Sequence, residues 1–233
     1  MIGLLFRTIL PEEHLSTDTK DVVKLGIALI ATMAALVLGL LIASAKSTYD
    51  TRRNQLLQVS ADIILLDRIL ANYGAETKDA RATLQRSVAT AIAQFWPANG
   101  DRPATIDRRA SSVEAVVDDI QSLTPQSGAQ RSMQSQALTM ALDLARTRVL
   151  LFEQLDRSVP VPFLVVLLFW LAIIFISFGL FAPRNATVIG AFFVCALSVS
   201  GAIFLILELD QSFRGLLQVS SAPLRTALAQ LGQ

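Results

Sequence analysis

The sequence predicts an all-helical integral membrane protein with three transmembrane helices and a helical bundle in water. Three long apolar runs contain no charged residue, and each is close to the roughly 20 residues that an α-helix needs to cross a bilayer. The first run continues into a polar segment whose apolar residues recur every three or four positions. That second pattern is typical of a helix in water that packs one face into a core.

The first helix is predicted from Asp21 to Tyr73, a rod of about 80 Å at 1.5 Å per residue. No proline or glycine occurs in residues 40–73, so nothing obliges the helix to stop at the membrane surface. Residues 21–46 form the predicted first transmembrane helix, and residues 1–20 are expected to lie at the interface. The part in water should face its core with the stripe Leu56, Val59, Ile63, Leu66, Leu70 and Tyr73.

One face of the first transmembrane helix is made of small residues, and the opposite face is bulky. Small side chains let another helix approach closely inside lipid, where tails give helices no hydrophobic reason to associate. The same face could instead line a narrow polar path, with Thr32 as its only hydroxyl well inside the span. Close packing and pore lining are therefore both open for Ala28, Thr32, Ala35, Gly39 and Ala43.

Residues 47–158 are predicted to form an antiparallel four-helix bundle with short loops. It combines the remainder of the first helix, two inserted helices and an extension that leads into the second span. Apolar stripes place the inserted helices at Lys78–Trp96 and at Val113–Leu123. Capping-box spacing at Ser127 predicts the start of the fourth helix.

The second and third transmembrane helices are predicted at residues 159–182 and 186–207, joined by a short hairpin. The second is rich in phenylalanine, whereas the third again carries small residues on one face. The first and third helices are therefore suited to close approach, and the second to bulk contact with lipid. Residues 208–233 are expected to form an interfacial, amphipathic tail.

Two carboxylates, Glu208 and Asp210, stand at the end of the third transmembrane helix, where the helix dipole disfavours anions. They could form an interfacial salt-bridge cluster with Arg52 and Arg53. Alternatively, these four charges could surround the cytosolic mouth of an ion pathway. None of the three apolar runs contains a charged residue. Their absence argues against a pump or a proton-coupled transporter.

No arrangement of residues predicts catalysis, a metal or a cofactor. The sequence contains no HExxH, GxSxG, phosphate-loop or dinucleotide motif in a suitable context. Its single cysteine excludes a multi-cysteine metal site, and its net charge of +1 gives no case for a nucleic-acid partner. Four aspartates without converging partners are expected to be solvated helix charges: Asp62, Asp67, Asp118 and Asp119.

Three spans place the bundle and the C-terminus on one side of the membrane. Basic residues near the membrane favour a cytoplasmic bundle, because they are enriched on that side of inner membranes. The bundle side offers Lys46, Arg52, Arg53, Arg146, Arg148, Arg157, Arg214 and Arg225, whereas the opposite side offers Arg7, Lys20, Lys24 and Arg184.

Two stretches resemble the bacterial membrane proteins described as having a bestrophin-like domain. They are KDVVKLGIALIATMAALVLGLLIASAKSTYD at residues 20–50 and ILELDQSFRGLLQVSSAPLRTAL at residues 206–228. The resemblance covers the first span, the helical insert and the C-terminal pair of spans. Bestrophins are pentameric anion channels with helical cytosolic domains, gated by calcium in animals. The resemblance therefore implies their type of fold and self-assembly.

The resulting hypothesis is a multi-pass homo-oligomer of the bacterial inner membrane that conducts inorganic ions. Three thin helices from one chain do not easily enclose a water-filled path, so a symmetric ring of copies, a pentamer or a tetramer, is expected. The first transmembrane helix would line the pore. The alternative hypothesis is a non-conducting membrane scaffold or sensor whose cytosolic bundle binds a partner.

Overall fold

The computed structural model describes residues 17–97, 113–155, 161–181, 185–210, 213 and 215–232, and within them it contains α-helices and no strand. The predicted all-helical fold class is therefore confirmed. In chain order the helices are α1 (Thr17–Tyr73), α2 (Lys78–Phe95), α3 (Val113–Gln121), α4 (Gly128–Leu155), α5 (Val161–Phe181), α6 (Ala186–Asp210) and α7 (Ala222–Gln230).

The helices divide into two compact units. The membrane unit contains α1 up to residue 48 together with α5 and α6. The helical bundle contains the remainder of α1, then α2, α3 and α4, and the C-terminal segment with α7. Three helices of the described chain, α1, α5 and α6, are long and apolar enough to cross a membrane. The 57 residues of α1 are unbroken, so a single helix belongs to both units.

The core of the bundle is formed by the apolar stripes that the sequence predicts. On α1, Leu66 and Leu70 have 0% and 1% of their surface exposed. The stripe of α2 is also buried, including Leu84 and Val88. All of these side chains belong to one hydrophobic cluster, to which α7 contributes Leu224. Because each helix buries one stripe, its remaining surface can stay polar.

Ser127 caps the start of α4, in a variant of the predicted capping box in which the Gln130 side chain reaches the residue before the N-cap. The Ser127 hydroxyl accepts a hydrogen bond from the backbone N–H of Gln130 at 3.1 Å. In return, the Gln130 side-chain oxygen accepts the backbone N–H of Gln126 at 2.8 Å. The side-chain amide of Gln130 also donates to the carbonyl of Tyr73, the last residue of α1. The cap therefore joins the start of α4 to the end of α1.

The long helix α1 ends at Tyr73, and the next residue, Gly74, is the first glycine after Gly39. Gly74 has a φ of +140°, a conformation that L side chains rarely adopt. Three residues later, Thr77 is 1% exposed, and its hydroxyl lies 2.6 Å from the carbonyl oxygen of Leu70 and 2.8 Å from that of Gly74. The hydroxyl has one hydrogen to donate, and the Gly74 carbonyl also accepts the backbone N–H of Thr77 at 3.3 Å. The hydroxyl therefore supplies a donor to the Leu70 carbonyl, one of those that the helix end leaves without an intrahelical partner.

Replacing Thr77 with valine should destabilise the bundle by about 1–3 kcal/mol, because the isosteric side chain leaves the buried Leu70 carbonyl without its side-chain donor. The measurement is thermal unfolding of the purified protein followed by circular dichroism. The matched control is Thr139→Val, whose hydroxyl bonds the Ser135 carbonyl on an exposed helix surface. We expect this control to change the melting temperature little. Equal effects of the two substitutions would contradict the capping role.

Helices α5 and α6 follow one another in the membrane unit. Helix α6 continues to Asp210, beyond the predicted end at Leu207, so Glu208 and Asp210 lie within its last turn. Within the unit, α5 buries Leu167 and Ile174, and α6 buries Ile206.

The C-terminal segment packs into the bundle. Phe213 and Val219 are 7% and 2% exposed and belong to the hydrophobic core. Phe213 lies between two rings at the end of α2, with centroid distances of 5.3 Å to Phe95 and 5.6 Å to Trp96. The indole N–H of Trp96 donates to the Val219 carbonyl at 2.9 Å. Ring contacts and this hydrogen bond therefore fix the segment to α2.

Candidate functional site

The small face of α1, defined by Ala28, Thr32, Ala35, Gly39 and Ala43, is exposed along its whole length within the chain. A Cβ atom built on Gly39 would meet no atom within 4 Å. The Thr32 hydroxyl donates to the Leu29 carbonyl at 2.7 Å, a local bond that keeps its oxygen available as an acceptor. The chain itself therefore leaves this face open.

A different face of α1 packs inside the membrane unit. Ile27, Ala34, Leu41 and Ala45 are between 4% and 7% exposed. Their spacing of seven, seven and four residues puts them on one stripe, about 135° round the helix from the small face. Both faces are apolar, so the sequence alone did not distinguish the one that packs internally from the one that stays open.

The third span also keeps its small residues open. Thr187, Ala191, Cys195 and Ser198 are exposed, and a Cβ atom at Gly201 would meet nothing within 4 Å. Two of the three spans thus present open surfaces on which another helix could approach closely.

The four charges of the proposed mouth are distributed over both units. Glu208 and Asp210 are half-buried in the last turn of α6, on either side of the buried Leu209. On α1, Arg52 is buried at 3% exposure and Arg53 is exposed. From the sequence alone, the two arginines have the same predicted role. Because they are neighbours on a helix, their side chains point in directions about 100° apart.

One buried charge pair departs from the sequence expectation. Asp67, expected to be solvated, is 6% exposed, and both its oxygens accept hydrogen bonds from Arg81, at 2.7 Å from Nε and 2.9 Å from Nη2. This hydrogen bond is the main reason that the pKa of Arg81 is raised, against the opposing effect of burial. The backbone N–H of Gly232 lies 3.4 Å from the same carboxylate.

The position of Asp67 held a signal for this burial. It lies four residues after Ile63 and three before Leu70, so it shares the inward stripe of α1. The partner could not be foreseen, because Arg81 belongs to another helix. Among the residues that the structure describes, no three His, Cys, Asp or Glu side chains cluster as a metal site would require.

Comparisons with known proteins agree on the type of fold. A mutant form of a bacterial bestrophin homolog from Klebsiella pneumoniae has a crystal structure that matches with a TM-score of 0.67. The match covers 99% of this chain and 97% of that chain, at 16% sequence identity. No curated protein matches this sequence. The family model of the bestrophin-like domain matches residues 1–224, and the chain therefore belongs to the bestrophin-like domain family.

Proposed function

We propose that this chain is the subunit of a homo-oligomeric ion channel of the bacterial inner membrane. The observation that carries the proposal is the open small face of α1, which the chain does not use for its own packing. A ring of copies that turns this face towards its axis would enclose a narrow path. Membership of the bestrophin-like family supports the channel class.

The proposed path needs no ionisable group inside the membrane. Thr32 supplies a hydroxyl, and the helix backbone with Ala35 and Gly39 forms a narrow apolar part. Hydroxyls and apolar constrictions are sufficient elements for conduction and gating. Glu208 and Asp210, half-buried at the end of α6, would stand near the cytosolic mouth. The excess of basic residues on the bundle side supports a cytoplasmic bundle and C-terminus.

Ion flux into liposomes tests this function. Purified protein is reconstituted, and potassium, sodium and chloride fluxes are measured beside protein-free liposomes of the same lipid. The proposal expects flux of one ion sign well above the control. Absence of flux for all three ions, from protein shown to be oligomeric and inserted, would favour the alternative of a scaffold or sensor whose bundle binds a partner.

Neutralising the carboxylates at the end of α6, with Glu208→Gln and Asp210→Asn together, should change conductance or ion selectivity. The reason is that fixed negative charge at a pore mouth concentrates cations and repels anions. The matched control removes two carboxylates from α3, with Asp118→Asn and Asp119→Asn. If the α6 variant loses thermal stability and keeps its ion selectivity, the carboxylates form a structural cluster and are not at the mouth.

A further inference from the structure

The helical bundle contains an apolar cavity that the channel function does not use. Its volume is about 80 Å³, roughly half that of the engineered 150 Å³ cavity that holds benzene. Side chains from α1, α2, α3, α4 and α7 line it, together with Phe213. Every lining residue belongs to the bundle, so the cavity exists within one folded unit.

The walls are apolar except at one region. Among the residues that line the cavity, the polar side chains are those of Ser87 and Arg148, and Arg148 carries a charge. A cavity lined by aliphatic and aromatic side chains favours apolar groups over water, because water needs several polar partners to be held. The apolar part of the wall therefore selects a hydrocarbon group.

Arg148 adds an anion preference to this wall. Its side chain is only 13% exposed, and its Nη1 lies 3.6 Å from a carboxylate oxygen of Glu114, whose own side chain is 65% exposed. Burial lowers the pKa of Arg148, and the charge of Glu114 partly offsets this. The group stays protonated at physiological pH. A guanidinium carries five N–H donors in a fork that fits a carboxylate and can engage more than one acceptor.

We propose that this cavity binds a small aliphatic monocarboxylate, with the hydrocarbon chain among the apolar side chains and the carboxylate on Arg148. The volume limits the buried chain to a few carbon atoms. Each methylene that enters should tighten binding about fourfold, and chains longer than the cavity should gain nothing more. Affinity should thus rise from acetate through butanoate to hexanoate and level off by decanoate.

Trp96 provides the probe, because it lines the cavity. The sequence has two tryptophans, so Trp170→Phe leaves Trp96 as the only tryptophan of the chain. Its fluorescence is titrated with the carboxylate series and with hexan-1-ol, using full-length protein in lipid nanodiscs, since detergents are themselves amphiphiles. Protein-free nanodiscs correct for partitioning into lipid. We expect saturable responses, with hexanoate at least about tenfold tighter than hexan-1-ol, as a charge-assisted hydrogen bond provides.

Two variants in this background locate the site. Arg148→Met keeps an unbranched apolar stem and removes the guanidinium with its charge, so it should abolish the preference for hexanoate over hexan-1-ol and retain binding of the alcohol. Ala91→Leu fills the cavity from α2 and should abolish binding of both. The proposal is overturned if the unaltered cavity gives no saturable response, if the acid preference survives Arg148→Met, or if folded Ala91→Leu protein binds hexanoate as tightly as before.

Discussion

Removing the Asp67 carboxylate, with Asp67→Ala, should destabilise the bundle by about 2–3 kcal/mol. The side chains of Asp67 and Arg81 are 8% and 21% exposed, so the substitution leaves a partly buried guanidinium without its bidentate acceptor. It also removes the acceptor that faces the Gly232 N–H. Thermal unfolding followed by circular dichroism, supported by denaturant titration, measures the loss.

Two controls separate this pair from a general effect of removing charge. Asp62→Ala removes a carboxylate from the same helix, where its contact is an exposed hydrogen bond from Gln58, and should have little effect. The double variant Asp67→Leu with Arg81→Met should recover much of the stability, because two packed apolar side chains leave no buried charge. A loss below about 1 kcal/mol for Asp67→Ala would show that the pair is accessible to water in solution.

Introducing leucine at Gly39 should lower ion flux at least about tenfold, because the larger side chain would narrow the proposed pore. An increase of about 1.4 kcal/mol in the free-energy barrier to permeation is enough for a tenfold decrease. The substitution should leave the subunit folded, because nothing lies within 4 Å of a Cβ atom at this position. Any effect must therefore arise outside the subunit, in the proposed pore or at a neighbouring copy. Liposome flux and the mass of the oligomer are measured on the same preparation.

The control for Gly39→Leu is Gly26→Leu on the same helix. A Cβ atom there also meets nothing within 4 Å, and Gly26 lies about 220° round the helix from Gly39. We expect it to keep both flux and assembly. Thr32→Val distinguishes the two roles of the small face: altered flux with an intact oligomer indicates pore lining. A broken oligomer for Gly39→Leu with a silent Thr32→Val indicates packing alone.

The helical architecture could be predicted from the sequence because its signals are local. The unbroken run from Gly39 to Gly74 predicted one long helix, and the Ser127–Gln130 spacing predicted a cap that the structure contains. The inward stripe of α1 could be predicted from the spacing of apolar residues alone. In water the exposed face of a helix is polar and the buried face is apolar, so the sequence distinguishes the two faces. These features depend on residues within a few turns of each other.

Features that depend on distant partners could not be predicted. Two such features are hydrogen bonds between separate elements. One joins Arg81 to Asp67, and the other joins the Trp96 indole to the Val219 carbonyl. In the membrane unit the difficulty is different. Lipid and protein interior are both apolar, so composition did not reveal that the Ile27 and Ala34 stripe packs internally and the small face stays open.

Electrical recording across a planar lipid bilayer tests the central claim most directly. Purified oligomer is added to the bilayer, and current is recorded at fixed voltages in potassium chloride solutions, beside the Gly39→Leu variant and a protein-free control. The account predicts discrete current steps of constant size for the wild-type protein and smaller or absent steps for the variant. Protein that is inserted and oligomeric but produces no discrete steps at any voltage would contradict it.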